Sequence, residues 1–183
     1  AAHQRGEAWS LPQDFVSALA RTLADPRLDR SLKALALSLP GESWLADRME
    51  VADPVAVHRV REAARRQVAE ALRSELFAAI DANQTPGAYQ FSVEAVGRRD
   101  LSNLALAYLM TLEDEDALAL CVERFSTATN MTDSIAALAC LADRDTPERS
   151  EALARFHERW KHEPLVVNKW FTVQATCDLP DVT

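Results

Sequence analysis

One stretch of the sequence limits the fold more than any other, and it begins at Asp53-Pro54. From there, apolar residues recur at steps of three and four, at Val57, Val60, Ala64, Val68, Leu72, Leu76 and Ile80. This period keeps them on one face of an α-helix. The Asp53 carboxylate suits the free N–H groups of a first turn, and Pro54 suits the turn itself. The pattern predicts one long amphipathic helix that ends near Asn83.

The sequence before Asp53 predicts shorter helices that are separated by prolines. A first helix is expected to begin at Leu11-Pro12 and to end at Asp25, because Pro26 disfavours helical backbone in the residue before it. Its inward residues are predicted to be Phe15, Leu19 and Leu23. A short second helix carries Leu32 and Leu35 and ends at Leu39-Pro40-Gly41. One or two further turns carry Trp44, Leu45 and Met49.

The C-terminal half of the sequence predicts further helices. One runs from about Glu94 to Leu112 and the next from Asp114 to Phe125, while Tyr89 to Val93 is the only strand-like stretch. The remaining starts are predicted at a cap formed by Thr132 and Asp133, at Thr146-Pro147-Glu148 and at Pro164. The residues expected to face inward are Leu101, Leu104, Tyr108, Leu109, Leu118, Cys121, Phe125, Ile135, Leu138, Leu141, Leu153, Phe156, Trp160, Val167, Trp170 and Phe171.

Together these elements predict an all-α fold in which antiparallel helix pairs stack as an irregular HEAT/armadillo-like superhelical array. Only 4 of the 183 residues are glycine, which favours helices with short connections over a sheet-rich fold. No fixed sequence period is visible, so a regular tetratricopeptide or ankyrin array is not predicted. The length suits one core, and we predict that residues 1–183 form a single helical domain.

The charge of the chain argues against a nucleic-acid partner, because the net charge is −8. The densest basic stretch, from His58 to Arg73, is interleaved with Glu62, Glu70 and Glu75. We interpret it as a solvated helix face, with a phosphate-binding stripe as the alternative. No apolar run approaches the roughly 20 residues that cross a bilayer, so no membrane partner is predicted.

The cysteines favour a reducing compartment. Cys121, Cys140 and Cys177 are three in number, lie beside apolar residues and form no C-x-x-C pair. We interpret them as buried, reduced thiols of a cytoplasmic protein. No signal peptide is recognised at Ala1, and we interpret the missing initiator methionine as the mark of a processed or trimmed chain.

A zinc site is the first chemistry to test, because His157-Glu158-Arg159-Trp160-Lys161-His162 looks similar to the H-E-x-x-H motif. In that motif, the two histidines are four residues apart and differ by about 40° around the helix. Here they are five residues apart and differ by about 140°. The two imidazoles are therefore predicted to lie on different faces and to bind no shared metal ion.

Other chemical motifs are absent from the sequence as well. There is no G-x-S-x-G elbow and no glycine-rich phosphate loop. Asn130-Met131-Thr132 matches a glycosylation acceptor, but we interpret it as the start of a helix. The acidic run from Glu113 to Asp116 is interpreted as a helix N-terminus, since it lacks the glycine and spacing of a calcium loop.

Two stretches are more specific than helix formation requires. The first is Ala128-Thr129-Asn130-Met131-Thr132-Asp133 with Ile135-Ala136-Ala137-Leu138 after it. The second is Pro164-Leu165-Val166-Val167-Asn168-Lys169-Trp170-Phe171, followed by Gln174-Ala175-Thr176. Both resemble segments of the C-terminal helical domain of bacterial aminopeptidase N, in the same order and at a similar separation. The stretch from Asp53 to Ala63 resembles the start of a long helix in that domain, so the likeness covers most of the chain.

The resemblance implies a parent zinc metallopeptidase that releases N-terminal residues from peptides. In that family, the zinc ligands H-E-x-x-H…E and the G-x-M-E-N loop belong to a separate thermolysin-like catalytic domain, and neither motif occurs in this sequence. We therefore assign no catalytic, cofactor-binding or metal residue to this chain. The expected zinc belongs to the catalytic domain of the parent enzyme, which lies outside this chain.

The same resemblance implies the partners of the chain. They are the catalytic domain of the same polypeptide, which the chain helps to enclose, and the peptide substrates that enter the cavity. Weak self-association of the segment through exposed apolar faces is also expected. One alternative is a stand-alone helical scaffold for a protein partner. Another is an enzyme whose site assembles from distant residues, such as Cys140 with a remote histidine.

Overall fold

The computed structural model describes residues 9–84, 87 and 89–179, and these residues form α-helices with no strand among them. In chain order, the helices are α1 (Gln13–Ala24), α2 (Arg30–Leu37), α3 (Glu42–Ala46), α4 (Pro54–Ala71), α5 (Arg73–Ala82), α6 (Val93–Leu109), α7 (Glu115–Thr127), α8 (Met131–Ala142), α9 (Pro147–Trp160) and α10 (Pro164–Ala175). The prediction of an all-α fold is confirmed. No helix within these residues is both long enough and apolar enough to span a bilayer.

Several helices begin where a side chain satisfies the N–H groups of the first turn. The Asp53 carboxylate accepts a hydrogen bond from the Ala56 N–H at 3.0 Å. The Asp114 carboxylate accepts from the N–H groups of Asp116 at 2.9 Å and Ala117 at 3.1 Å. These two helix starts lie at the positions that the sequence predicts.

The prediction of one long helix from Asp53 to Asn83 is wrong, because the backbone bends at Leu72. This residue has φ −115° and ψ 21°, and it separates α4 from α5. Its N–H still donates to the Val68 carbonyl at 2.9 Å, and its carbonyl accepts from the Leu76 N–H at 2.9 Å. The bend has neither a glycine nor a proline to mark it. The two helices on either side of Leu72 share one apolar period, and both contact α6.

In two short helices near the N-terminus, some of the apolar residues named from the sequence are exposed. In α1, Val16 is buried beside Leu19 and Leu23, whereas Phe15 is exposed. The buried residues of α2 are Ala34 and Leu37, and its exposed leucines are Leu32 and Leu35. Both helices are apolar on more than one side. Contacts of α2 with α1 and α6 therefore decide which side is covered.

The strand-like stretch at Tyr89 to Val93 does not form a strand. Tyr89 and Phe91 are exposed and lie in an irregular connection, and Val93 is the first residue of α6. The Ser92 hydroxyl accepts a hydrogen bond from the Ala95 N–H at 3.1 Å, so a helix cap takes the place of strand pairing. At its other end, α6 stops at Leu109 rather than at the predicted Leu112.

Most of the predicted inward residues of the C-terminal half face the core. Those that are buried are Leu101, Tyr108, Leu109, Cys121, Leu138, Leu141, Leu153 and Phe156. Those that are half-buried are Leu104, Leu118, Phe125, Ile135, Trp160, Val167 and Trp170. Phe171 is exposed.

The chain divides into two compact units. Unit 1 contains α1 to α6 and is organised around α6, which contacts α2, α4 and α5. Unit 2 contains α7 to α10 and is organised around α8, which contacts α7, α9 and α10. Each central helix buries residues on several sides, as a helix enclosed by neighbours must. That all 183 residues act as one domain stays a prediction.

A buried tyrosine joins α6 to the C-terminal end of α2. The Tyr108 hydroxyl donates to the Leu37 carbonyl at 2.6 Å, and both residues are buried. Burial raises the pKa of Tyr108 to about 12, because the phenolate would lose its hydration inside unit 1. The Leu37 carbonyl is one of the acceptors that a helix end leaves without an intrahelical partner.

Tyr108→Phe is expected to lower the free energy of unfolding by about 1–2 kcal/mol near neutral pH, since the Leu37 carbonyl loses its buried donor. A second effect distinguishes the hydroxyl from simple packing. Between pH 10 and 12, the unfolded tyrosine loses its proton while the folded one keeps it, so stability falls with rising pH by about 1.4 kcal/mol per unit. Urea titrations across this range should show that slope as a difference between wild type and Tyr108→Phe. Tyr89→Phe, at an exposed position, is the control, and an equal effect from it would contradict this assignment.

Candidate functional site

The two histidines of the zinc-like sequence lie in different surroundings. His157 is on α9, and its ring centroid is 4.8 Å from that of Trp170 on α10. His162 follows the end of α9 and is exposed. Within the described part of the chain, no group of three or more His, Cys, Asp and Glu side chains is placed to hold a metal ion. The contact with Trp170 shows that His157 contributes to the packing of α9 on α10.

The three cysteines differ in their burial. Cys121 on α7 is buried, whereas Cys140 and Cys177 are half-buried, so the prediction of three buried thiols is correct only for Cys121. The Cys121 thiol donates weakly to the Ala137 carbonyl at 3.5 Å. A hydrogen bond with the Cys140 thiol, together with burial, holds the pKa of Cys121 far above its usual range. A thiol that stays protonated is a poor nucleophile, so the surroundings of Cys121 favour a packing role.

The first family-like stretch forms the N-terminus of α8. The Asn130 side chain accepts a hydrogen bond from the Asp133 N–H at 3.0 Å and donates one to the Asp133 carboxylate at 2.7 Å. Asn130 is therefore the cap, and the prediction that Thr132 and Asp133 cap this helix is wrong. A polar cap residue followed three positions later by an acid is a known capping arrangement, and this spacing is the signal in the sequence. The interpretation of Asn130-Met131-Thr132 as a helix start agrees with α8.

The second family-like stretch forms α10, and Trp170 anchors it to α9. The Trp170 indole N–H donates to the Leu153 carbonyl at 2.9 Å. Phe171, which the sequence places in the core with Trp170, is 59% exposed. The next position on a helix lies about 100° further around, and Val173 occupies the buried side instead. Asn168 and Lys169 are exposed.

Unit 1 contains an open cleft of about 490 Å³ between α1, α2 and α5. The cleft remains unfilled where alanines on α1 and α5 line it, because their side chains are small. These alanines are Ala20, Ala24, Ala78, Ala79 and Ala82. At one side, the Lys33 ammonium donates to the Leu23 carbonyl at 2.8 Å, and the Arg30 Nε donates to the Asn83 side chain at 2.6 Å. Lys33 therefore links α2 to α1, and Arg30 links α2 to the residue that follows α5. Sequence patterns miss these bonds, because each joins residues on different helices.

The basic stretch of α4 forms ion pairs along its own helix. Arg65 lies 2.7 Å from the Glu62 carboxylate and Arg66 lies 3.1 Å from the Glu70 carboxylate. Arg65 also donates to the Ala107 carbonyl at 2.9 Å, which ties α4 to α6. These contacts favour the interpretation of a mixed-charge helix surface over that of a phosphate-binding stripe.

Comparison with known proteins gives a consistent result. A family model described as "Domain of unknown function (DUF3458_C) ARM repeats" matches residues 1–183. The chain is 35% identical over 182 residues to aminopeptidase N of Escherichia coli, which covers 100% of this chain and 21% of that protein. It is 36% identical over 167 residues to aminopeptidase N of Caulobacter vibrioides, which covers 91% of this chain and 19% of that protein.

A solved structure has the same fold. The crystal structure of Legionella pneumophila aminopeptidase A in complex with aspartic acid superposes with a TM-score of 0.83 and 24% sequence identity. The superposition covers 98% of this chain and 22% of that chain. At this identity, the match establishes the fold alone.

The chain thus spans about a fifth of the length of the curated relatives that it matches. The ARM-repeat description agrees with the predicted HEAT/armadillo-like stacking of helices, and the resemblance to a helical region of aminopeptidase N is confirmed. The chain belongs to the DUF3458_C family of ARM-repeat domains and corresponds to a part of aminopeptidase N.

Proposed function

We propose that this chain is a non-catalytic segment of a zinc aminopeptidase that releases N-terminal residues from peptides. In the parent enzyme, the segment helps to enclose the active-site cavity and limits the size of the substrates that enter. One observation carries the proposal: the relatives match the whole chain, but the chain covers only about a fifth of their length. The rest of the parent polypeptide then holds the zinc and binds the peptide substrate.

The chemistry of the described residues supports a structural role. Three polar side chains stabilise the helices and their packing: Asn130 caps α8, Tyr108 joins α6 to α2, and Trp170 joins α10 to α9. Stacked helices of an ARM-repeat domain form extended surfaces, and such surfaces suit the wall of a chamber. The proposal includes the cytoplasm as the location, which the free thiols at Cys121, Cys140 and Cys177 support.

The proposal predicts how the full-length parent enzyme treats substrates of different size. The test uses a series of peptides that share the same N-terminal residue and increase in length. The kcat/KM should fall by about tenfold or more once a peptide is too long or too folded to enter the cavity, because the cavity walls exclude it. Hydrolysis of a small aminoacyl-nitroanilide should occur in the full-length enzyme, whereas the 183-residue chain alone should give none and should bind no stoichiometric zinc.

A second measurement assigns the size limit to this segment. A parent enzyme from which the segment is deleted should retain some aminoacyl-nitroanilide hydrolysis and accept long peptides with less discrimination. An enzyme that keeps nitroanilide hydrolysis and an unchanged length dependence would contradict the enclosing role. A complete gene that encodes only this chain would instead favour the stand-alone scaffold.

A further inference from the structure

Unit 1 exposes a group of large apolar side chains between α3 and the first turn of α4. We name this group the 44–55 patch, and its members are Trp44, Met49, Val51 and Val55. Val51 is 81% exposed and Trp44 is 49% exposed. The helix α3 buries none of its residues, although it carries a tryptophan. Several apolar residues exposed within one short segment are typical of an interaction surface, whereas single exposed ones are not.

The 44–55 patch is held in place by local contacts. The Arg48 guanidinium lies 3.5 Å from the centre of the Trp44 ring and donates to the Trp44 carbonyl at 3.4 Å. The Glu42 carboxylate lies 2.8 Å from His58 Nδ1, which fixes α3 on α4. A tryptophan whose position is already set loses little freedom when a partner covers it. Tryptophan and arginine are also the residue types that contribute most to protein interfaces.

The segment between Trp44 and Val51 has three exposed charged residues, of which two are acidic and one, Arg48, lies on the Trp44 ring. Asp47 and Glu50 are exposed and lie between Trp44 and Val51 in the sequence. The whole chain is also acidic, with a net charge of −8. A second copy of the chain would bring like charges together at this surface, and like charges at an interface are unfavourable. A partner with an apolar surface and basic residues around it would match both features.

We propose that the 44–55 patch docks against the part of the aminopeptidase polypeptide that lies outside this chain, on an apolar surface ringed by basic residues. The inference rests on the proposed function, and it names the surface through which the segment contacts the rest of the enzyme. About four-fifths of the length of the relatives lies outside the matched region, so an intramolecular partner of sufficient size exists in them. Within one polypeptide, such a partner is present at high effective concentration.

Cysteine labelling in the full-length parent enzyme tests the docking. Val51→Cys is introduced in the patch and Glu70→Cys near the other end of α4, where the side chain is also exposed. Each rate of reaction with a maleimide is divided by the rate of the same variant in urea, and mass spectrometry of the peptides identifies the labelled site. Because a docked partner excludes water and reagent, Val51→Cys should be protected about tenfold or more relative to Glu70→Cys.

Three outcomes decide the inference. Protection of Val51→Cys below that level would overturn it, and so would protection that falls on dilution, which would identify a second copy as the partner. Glu50→Lys in the Val51→Cys enzyme should lower the protection about threefold or more, because it places a cation against basic residues. Unchanged protection in that variant would overturn the proposed basic surface. These readouts are independent of the peptide-length dependence, so docking and size limitation can fail separately.

Discussion

Phe156→Ala is expected to lower the free energy of unfolding by about 3–5 kcal/mol. Phe156 lies on α9 and is only 2% exposed, among the largest side chains that the fold buries completely. Its ring centroid lies 6.4 Å from that of Trp160. Alanine would remove this apolar area from the core and leave a cavity that the flanking helices cannot fill without moving.

The control for Phe156→Ala is Phe171→Ala, the same substitution on α10 at a side chain that is 59% exposed. It should cost less than about 1 kcal/mol, because little burial is lost. Both variants are compared with wild type by urea denaturation followed by far-UV circular dichroism. Similar losses from the two substitutions would contradict the burial pattern of unit 2. A small loss from Phe156→Ala alone would mean that the core around α9 collapses into the space.

The fold class could be predicted from the sequence because its signals are local. Asp53 and Asp114 cap helices at the predicted positions. Pro147 and Pro164 each occupy the first turn of a helix, where proline is favoured. These signals depend only on residues a few positions apart. They therefore predict the same helix starts however the distant parts of the chain pack.

The errors have a common physical cause, which is that tertiary packing selects among local options. The apolar period continues through Leu72, so no local signal marks the bend there. In α1, Phe15 and Val16 are neighbours, and either could face inward with Leu19. Tertiary packing buries Val16 and leaves Phe15 exposed. The alternating residues at Tyr89 to Val93 lack a partner strand within the described residues, and a strand needs one.

The candidate site shows the same division between local and distant information. Helix geometry predicts that His157 and His162 lie on different faces of one helix. The structure instead places His162 beyond the end of α9, so the two histidines do not share a helix. The bond from Lys33 to the Leu23 carbonyl and the bond from Arg30 to Asn83 could not be predicted, because they join separate helices. No pattern in the sequence indicates whether Trp44 is buried or exposed. Only the folded chain shows that unit 1 leaves it half exposed.

A close approach of α2 and α6 depends on a glycine. Gly97 is a buried residue of α6, and a Cβ atom there would lie 3.1 Å from the Arg30 Cβ, from the Ser31 backbone N and from the Ser31 Oγ. Two of these atoms are held by the backbone of α2, so they cannot rotate away. The Ser31 hydroxyl also donates to the Asp100 carboxylate at 3.2 Å, which holds α2 against this part of α6. A side chain at Gly97 must therefore separate the two helices.

Gly97→Val is expected to lower the free energy of unfolding by about 3 kcal/mol, because the branched side chain overpacks the contact between α2 and α6. Gly97→Ala should be milder, since its contacts of 3.1 Å oppose a gain in helix propensity of about 1 kcal/mol. The matched control is Gly41→Val. An added Cβ at Gly41 meets no atom within 4 Å, so that change should cost less than about 1 kcal/mol. Urea denaturation of the variants measures the order. A Gly97→Val variant as stable as Gly41→Val would show that α2 can move away from α6 at little cost, and that the close approach does not fix unit 1.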